Sequence, residues 1–290
     1  MSKNLCVIGG DLRIVKLVEI LVNDGYNVYT YALEEAESLN QTNNVTQCST
    51  MIEAISNSDI VIGPIPLSSN KIDINTPFSK ENISIEELFS KLDGKKFIAG
   101  SIGDEVLKLA ENRNIELIDL MKREELTVLN TISTAEGAIQ IAMEETLSTI
   151  HGSNVLVMGF GRVGKILSKM LNGIGARVSC EARKESDIAW IKAYGYNPIH
   201  LNVLDETIGD YDIIINTIPS IILDDTKLDK VKKDCLIIDL ASNPGGVDRE
   251  AAKRKGIKTI WALSLPGKVA PLTSAEFLKE TIYNIFKEMK

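Results

Sequence analysis

Histidine is almost missing from this 290-residue chain, which holds two, His151 and His200, both near the ends of expected elements. That leaves little material for a histidine-based metal centre or a Ser-His-Asp triad. Long apolar runs are missing too. None approaches the roughly 20 residues that a membrane-spanning helix needs, and the opening MSKNLCVIGG lacks the charged start and extended apolar core of a signal peptide. A cytosolic protein with no membrane partner is expected. Basic residues fall short of acidic ones, 32 Lys and Arg against 40 Asp and Glu, for a net charge of -8 and a pI near 5.0. A surface of that sign repels a phosphate backbone, so nucleic acid is not an expected partner. The four cysteines, Cys6, Cys48, Cys180 and Cys235, stand far apart with no C-x-x-C pair, each in or beside an apolar run. They read as buried, reduced thiols and not as a disulfide or metal framework. No Asp-rich loop of calcium-binding form occurs, and no metal is expected.

What is present is alternation. NLCVIGG is a short apolar strand ending in glycines, LRIVKLVEILVNDG has helical apolar spacing with a glycine stop, and YNVYTYAL is a strand again. SDIVIGPIP, KKFIAG, the helix DEVLKLAENRN and IELIDL continue the pattern, which predicts a parallel sheet covered by helices. The stretch 66–86, rich in Pro, Ser and Asn, reads as a surface loop. From about 122 to 150 the chain reads as helices that lead into a second domain. There NVLVMGFG, ARVSCEA, NPIHL, YDIIINTIP, DCLIIDLA and IKTIWAL supply six strand candidates, the number of a complete doubly wound sheet. The expectation is an α/β protein with two Rossmann-like, doubly wound parallel-sheet domains linked by helices. The first domain spans 1–125 and is completed by a C-terminal helix over 271–290, with a linking helix over 126–150 and the nucleotide-binding domain over 151–270.

The glycine triplet of GFGRVG follows an apolar strand, opens a helix and precedes a second strand by the spacing of a βαβ unit. In that context Gly159 permits the tight turn, Gly161 lets backbone amides approach a pyrophosphate, and Gly164 allows close helix-to-strand packing. Phe160, Arg162 and Val163 share the loop. In an NAD site a carboxylate ends the following strand; here that position falls near Ala182, followed by Arg183 and Lys184. Two cations suit a 2′-phosphate, so NADP is expected over NAD. Glu181, one residue earlier, serves NAD if the strand ends sooner. INTIPSII places Thr217, Ile218 and Pro219 after the fourth strand, where they would cover the cofactor, and IIDLASNPGG brings Asp239, Ala241, Ser242 and Asn243 to the same edge.

GGDLR at 9–13, LNTISTAEGAI at 129–139, GFGRVGK at 159–165, INTIP at 215–219 and ALSLPGKVAPLTSAE at 262–276 together resemble the A-subunit family of dipicolinate synthase. The resemblance covers nearly the whole chain. It implies a two-domain Rossmann-type oxidoreductase of spore-forming bacteria, acting in the mother cell with a flavoprotein-like B subunit. Such an enzyme converts dihydrodipicolinate, or its hydroxylated tetrahydro precursor, to pyridine-2,6-dicarboxylate. Ser133 and Ser264 depart from the Pro and Gly that the family pattern leads one to expect there.

Aromatising a dihydropyridine requires removal of a hydride and a proton, and a dicarboxylate needs cationic or amide donors. Lys268 is the first candidate, as carboxylate partner or as base. Thr134 and Glu136 are read at a helix start, where Ser133 or Thr134 caps free amides that could bind a carboxylate and Glu136 could act as base. Arg13 and Ser242 are candidate substrate contacts. A 2-hydroxyacid dehydrogenase would want a histidine in the late loop, where Lys268 stands. A non-catalytic NADP-sensing subunit is a further alternative, and a homo-oligomer is left open.

Overall fold

The computed structural model describes residues 4–92 and 94–289. Two compact units emerge: residues 4–129 with 270–289 in the first, and Asn130–Val269 in the second.

The first unit runs β1 (Asn4–Ile8), α1 (Leu12–Asn23), β2 (Asn27–Tyr31), β3 (Val45–Gln47), α2 (Met51–Ser56), β4 (Ile60–Ile62), α3 (Ile85–Lys91), β5 (Lys96–Ala99), α4 (Asp104–Asn112) and β6 (Glu116–Asp119). Its sheet is parallel, in the order β3-β2-β1-β4-β5-β6. Apolar runs such as Leu5-Cys6-Val7-Ile8 form these strands because helices bury both faces; all four residues are essentially unexposed. The stretch expected as a surface loop differs from that reading. Leu67, Ile74 and Ile83 are buried in the core, Asp73 and Ser84 form a β-bridge, and α3 begins at Ile85.

The turn after β1 resembles a shortened phosphate loop, but the chain itself fills it. The Gly9 amide donates to the Tyr31 carbonyl and the Gly10 amide to the Asn75 carbonyl, each at 2.9 Å. Asp11 caps α1 by accepting from the Arg13 amide, and the Arg13 guanidinium pairs with the same carboxylate at 2.7 Å and donates to the Ile65 carbonyl. Arg13 is thereby buried and engaged in holding the loop, a correction to its expected role as a substrate contact.

One helix, α5 (Glu124–Glu145), continues the chain where a linking helix over 126–150 was expected. Ala135, Ala138 and Ala142 on it are buried in the core of the second unit. That unit then runs β7 (Asn154–Met158), α6 (Arg162–Gly173), β8 (Arg177–Ala182), α7 (Glu185–Ala193), β9 (Asn197–His200), α8 (Leu204–Thr207), β10 (Ile213–Asn216), α9 (Asp225–Leu228), β11 (Leu236–Asp239), α10 (Arg249–Lys255), β12 (Lys258–Trp261) and α11 (Leu265–Val269). The six expected strands are the six observed, all parallel, in the order β12-β11-β10-β7-β8-β9. Strand order reverses between β7 and β10, which opens a crevice at their carboxyl ends. The last helix, α12 (Pro271–Glu288), belongs to the first unit, where Leu278, Ile282, Ile285 and Phe286 join the core built on α1. Lys290 of the expected helix lies outside the described residues.

Candidate functional site

A groove of about 580 Å³ occupies that crevice in the second unit. Three segments line it: Gly159 to Val163 after β7, with Lys165 behind; Glu181 to Lys184 at the end of β8 and just past it, with Asp187; and Thr217 with Ile218 after β10. Gly159 holds a φ of +88°, open to glycine without strain. A Cβ on Gly164 would lie 2.0 Å from the Gly159 carbonyl oxygen, so α6 sits as close to the turn as a bare backbone allows. Gly161 is the N-cap of α6 and carries no side chain to satisfy the first-turn amides; a Cβ there would meet only open space. Backbone donors at the positive end of a 12-residue helix, facing an open groove, fit a pyrophosphate.

The neighbouring turns are fixed from beneath. Thr217 Oγ1 donates to the Met158 carbonyl at 2.8 Å. Asn216 and Asp239, at the ends of β10 and β11, are fully buried: Asn216 Nδ2 donates to Asp239 Oδ1 at 2.7 Å, and the other carboxylate oxygen accepts from the Gly246 amide at 2.8 Å. Asp239, expected as a polar group facing the cofactor or substrate, is therefore a strut between loops. Ala241 is buried, with its amide on Asp239 Oδ1 and its carbonyl accepting from Trp261 Nε1. Ser242 is exposed in the turn that closes on Gly245. Pro219 is exposed and outside the groove lining. Phe160 lines the groove while its ring is buried, with Lys165 Nζ 5.8 Å above it.

Strand β8 ends at Ala182, so the site of the usual acidic ribose ligand is a methyl group, and the exposed Arg183 and Lys184 follow at the rim. Glu181 reaches the groove from below. Its Oε2 accepts from the Gly159 amide at 3.2 Å, its Oε1 has no hydrogen-bond partner among the described residues, and the residue is 0 % exposed. Burial raises its carboxyl above the ordinary glutamate range, against the lowering pull of the Gly159 amide, Arg183 and His200. Lys165 and Asp187 are groove residues that the sequence did not single out, whereas Glu181 was its alternative ribose ligand.

The second group of candidates lies on α5 and α11. Ser133, Thr134 and Glu136 stand in the middle of α5 and not at a helix start. Every amide there is already committed to the helix, so the expected capping and carboxylate cradle do not form. Thr134 Oγ1 donates back to the Asn130 carbonyl at 2.9 Å, Ser133 is buried with an unpartnered hydroxyl, and Glu136 is exposed. The TAEGA and LPGKV blocks do meet: a Cβ on Gly137 would fall 2.9 Å from Val269 Cγ2 and 3.2 Å from Leu265 Cβ. Lys268 is exposed on α11. No group of three His, Cys, Asp or Glu that could hold a metal ion occurs among the described residues. No helix there is long and apolar enough to cross a membrane.

Switch-point groove, glycine turn and helix terminus together define a Rossmann-type, dinucleotide-dependent oxidoreductase. Residues 130–252 match the NAD binding domain of D-isomer specific 2-hydroxyacid dehydrogenases, and residues 4–121 match the N-terminal domain of the dipicolinate synthase A-subunit. The dipicolinate synthase A-subunit of Bacillus subtilis is 32% identical over 288 residues, 99% of this chain and 96% of that protein. The chain belongs to the dipicolinate synthase A-subunit family. The solved Bacillus subtilis structure superposes with a TM-score of 0.88 over 99% of this chain and 97% of that one. The Bacillus halodurans A-subunit gives 0.88 at 29% identity, over 98% of each chain. A shikimate dehydrogenase (NADP(+)) of Methanococcus maripaludis is 27% identical over 165 residues, 49% of this chain and 59% of that protein.

Proposed function

We propose that the protein is an NADP-dependent dehydrogenase that converts dihydrodipicolinate, or its hydroxylated tetrahydro precursor with loss of water, to pyridine-2,6-dicarboxylate, together with a B subunit in the cytoplasm of a sporulating mother cell. The observation that carries the cofactor reading is Ala182-Arg183-Lys184 at the groove rim, cations where an NAD site would hold a carboxylate. The name of the Methanococcus relative agrees with it. The substrate and the partner rest on family membership.

Bound NADP⁺ supplies a hydride acceptor. The first-turn amides of α6, with Gly159, Phe160, Gly161, Arg162, Val163 and Gly164, hold the pyrophosphate, and Arg183 and Lys184 pair with the 2′-phosphate. Thr217 and Ile218 wall the groove on its nicotinamide side. Lys268 pairs with one substrate carboxylate, and Glu136, on the helix against which α11 packs, is the candidate proton acceptor.

The test mixes the chain, with and without a candidate B subunit, with freshly generated dihydrodipicolinate and NADP⁺, and follows NADPH absorbance beside the ultraviolet signal of dipicolinate. Coupled appearance of both, faster than with NAD⁺, is expected. Dipicolinate without NADPH above the spontaneous rate would replace this reading with that of a nucleotide-binding regulatory protein. Neutralising Arg183 and Lys184 together should weaken NADP at least about tenfold more than NAD, because charge-assisted hydrogen bonds contribute about 1.5–3 kcal/mol each; equal losses would remove the 2′-phosphate assignment.

A further inference from the structure

Glu181 is a carboxylate with one oxygen used and one left over. A glutamate that merely tethered the glycine turn would need the single contact from Oε2 to the Gly159 amide. Oε1 is buried without a partner among the described residues, which costs stability unless something else engages it. The residue lines the groove beside Arg183 and Lys184, so a ligand seated against those two cations is the nearest candidate partner for the unused oxygen.

We propose that Glu181 sets the choice between NAD and NADP through its own protonation. When it is ionised, Oε1 accepts the adenosine ribose 2′-hydroxyl; when it is neutral, the same oxygen donates its proton to a 2′-phosphate whose charge Arg183 and Lys184 balance. The inference rests on the reading of this groove as the dinucleotide site. The surrounding charges are mixed. Arg183 and Lys184 follow in the same turn, Arg162 and Lys165 come from α6, and Asp187 comes from the first turn of α7. His200 ends β9 opposite Ala182, with Glu185 at 4.0 Å, and β7 contributes no titratable group. Burial outweighs the nearby cations and favours the neutral acid. Raising the pH therefore ionises Glu181 and sets a second anion against the 2′-phosphate, a repulsion worth on the order of tenfold in affinity for partly screened charges.

The test uses the whole chain and two probes that need no turnover, 2′,5′-ADP and 5′-AMP, titrated calorimetrically between about pH 5.5 and 8.5. The preference for 2′,5′-ADP should rise roughly tenfold on acidification. Protonation of the phosphate itself, near pH 6, pushes the preference the opposite way, so a rise cannot come from the ligand. In Glu181→Gln the preference should already be high at alkaline pH, with the rise gone. A wild-type preference that falls with acid overturns the proposal even if the variant fails to fold. So does a rise that survives in Glu181→Gln but disappears in His200→Gln, which would assign it to the imidazole. If neither probe binds, the groove reading falls as well; if 2′,5′-ADP binds with a preference indifferent to pH, the proposal falls alone.

Discussion

Single residues in this chain carry strain that substitutions can relieve. Ser264, in the turn between β12 and α11, has a φ of +59°, a left-handed conformation that a side chain makes costly. Its family pattern leads one to expect glycine there. Relief of roughly 1–2 kcal/mol of left-handed strain is set against about 0.4–1 kcal/mol of extra unfolded-state freedom, so Ser264→Gly should stabilise by about 0.5–1 kcal/mol in thermal melts. A loss of stability would mean that the serine hydroxyl has a role that offsets the backbone. Glu181 has a pH signature in stability as well as in binding. Its folded-state value is raised, chiefly by burial. The stability it contributes is then fully present below the unfolded value near 4.3 and is lost as pH rises through the folded value. Glu181→Gln removes that ionisation, so the variant should gain on wild type as pH rises from 5 to 8. A constant difference across that range would show that the carboxyl does not titrate. Residue identity alone conveyed the groove rim well, since Gly159 to Gly164 and Arg183-Lys184 follow from spacing. It conveyed Asp239 poorly: a polar residue at a strand end reads as a ligand until the structure shows it bonded to the buried Asn216.

At the scale of elements, the approach of α11 to α5 depends on the absence of a side chain at Gly137. An alanine there would meet Val269 Cγ2 at 2.9 Å and Leu265 Cβ at 3.2 Å, so α11 must give way slightly, at a cost that offsets a gain of up to about 1 kcal/mol of helix propensity. Gly137→Ala should be close to neutral. Gly137→Leu has no such escape: overpacking costs about 1–3 kcal/mol and must displace α11 together with Lys268. Turnover should fall at least about tenfold while 2′,5′-ADP binding is unchanged, because the groove is built from other turns. Loss of nucleotide binding in step with activity would show that α11 supports the groove too. The same region explains what sequence conveyed of the elements. Six strands of the second unit stand out as apolar runs because a parallel sheet is buried on both faces. β3 escaped notice because Val45-Thr46-Gln47 is short, polar and at a sheet edge. STAEGA looks like a helix start because serine or threonine ahead of an acid is a capping signal, yet it lies inside a 22-residue helix whose first turn is Glu124 and Glu125.

For the whole molecule the division of the chain makes an asymmetric demand. The second unit is one continuous stretch, Asn130–Val269, whereas the first needs a segment from the far end of the chain. The seam that returns α12 to it contains exposed polar contacts, Arg123 to Glu288 through two 2.7 Å hydrogen bonds and Tyr283 to Asp24 at 2.7 Å. An exposed ion pair such as Arg123–Glu288 contributes at most about 1 kcal/mol. Leu278, Ile282, Ile285 and Phe286 are each at most 3 % exposed, and burying side chains of this size contributes about 1.5–3 kcal/mol apiece. Their sum rivals the roughly 5–15 kcal/mol by which a domain is stable at all. Residues 1–129 expressed alone should therefore lack a cooperative melt and expose apolar surface, and adding residues 270–290 through a flexible linker should restore the transition. Residues 130–269 alone should fold and bind 2′,5′-ADP within about threefold of the whole chain's affinity, since every groove residue lies inside that stretch. A cooperative melt for residues 1–129 would make α12 dispensable and leave the first unit a self-sufficient domain. Failure of residues 130–269 to fold would instead mean that α5 needs its first six residues, Glu124–Leu129, to nucleate the helix on which Ala135, Ala138 and Ala142 pack.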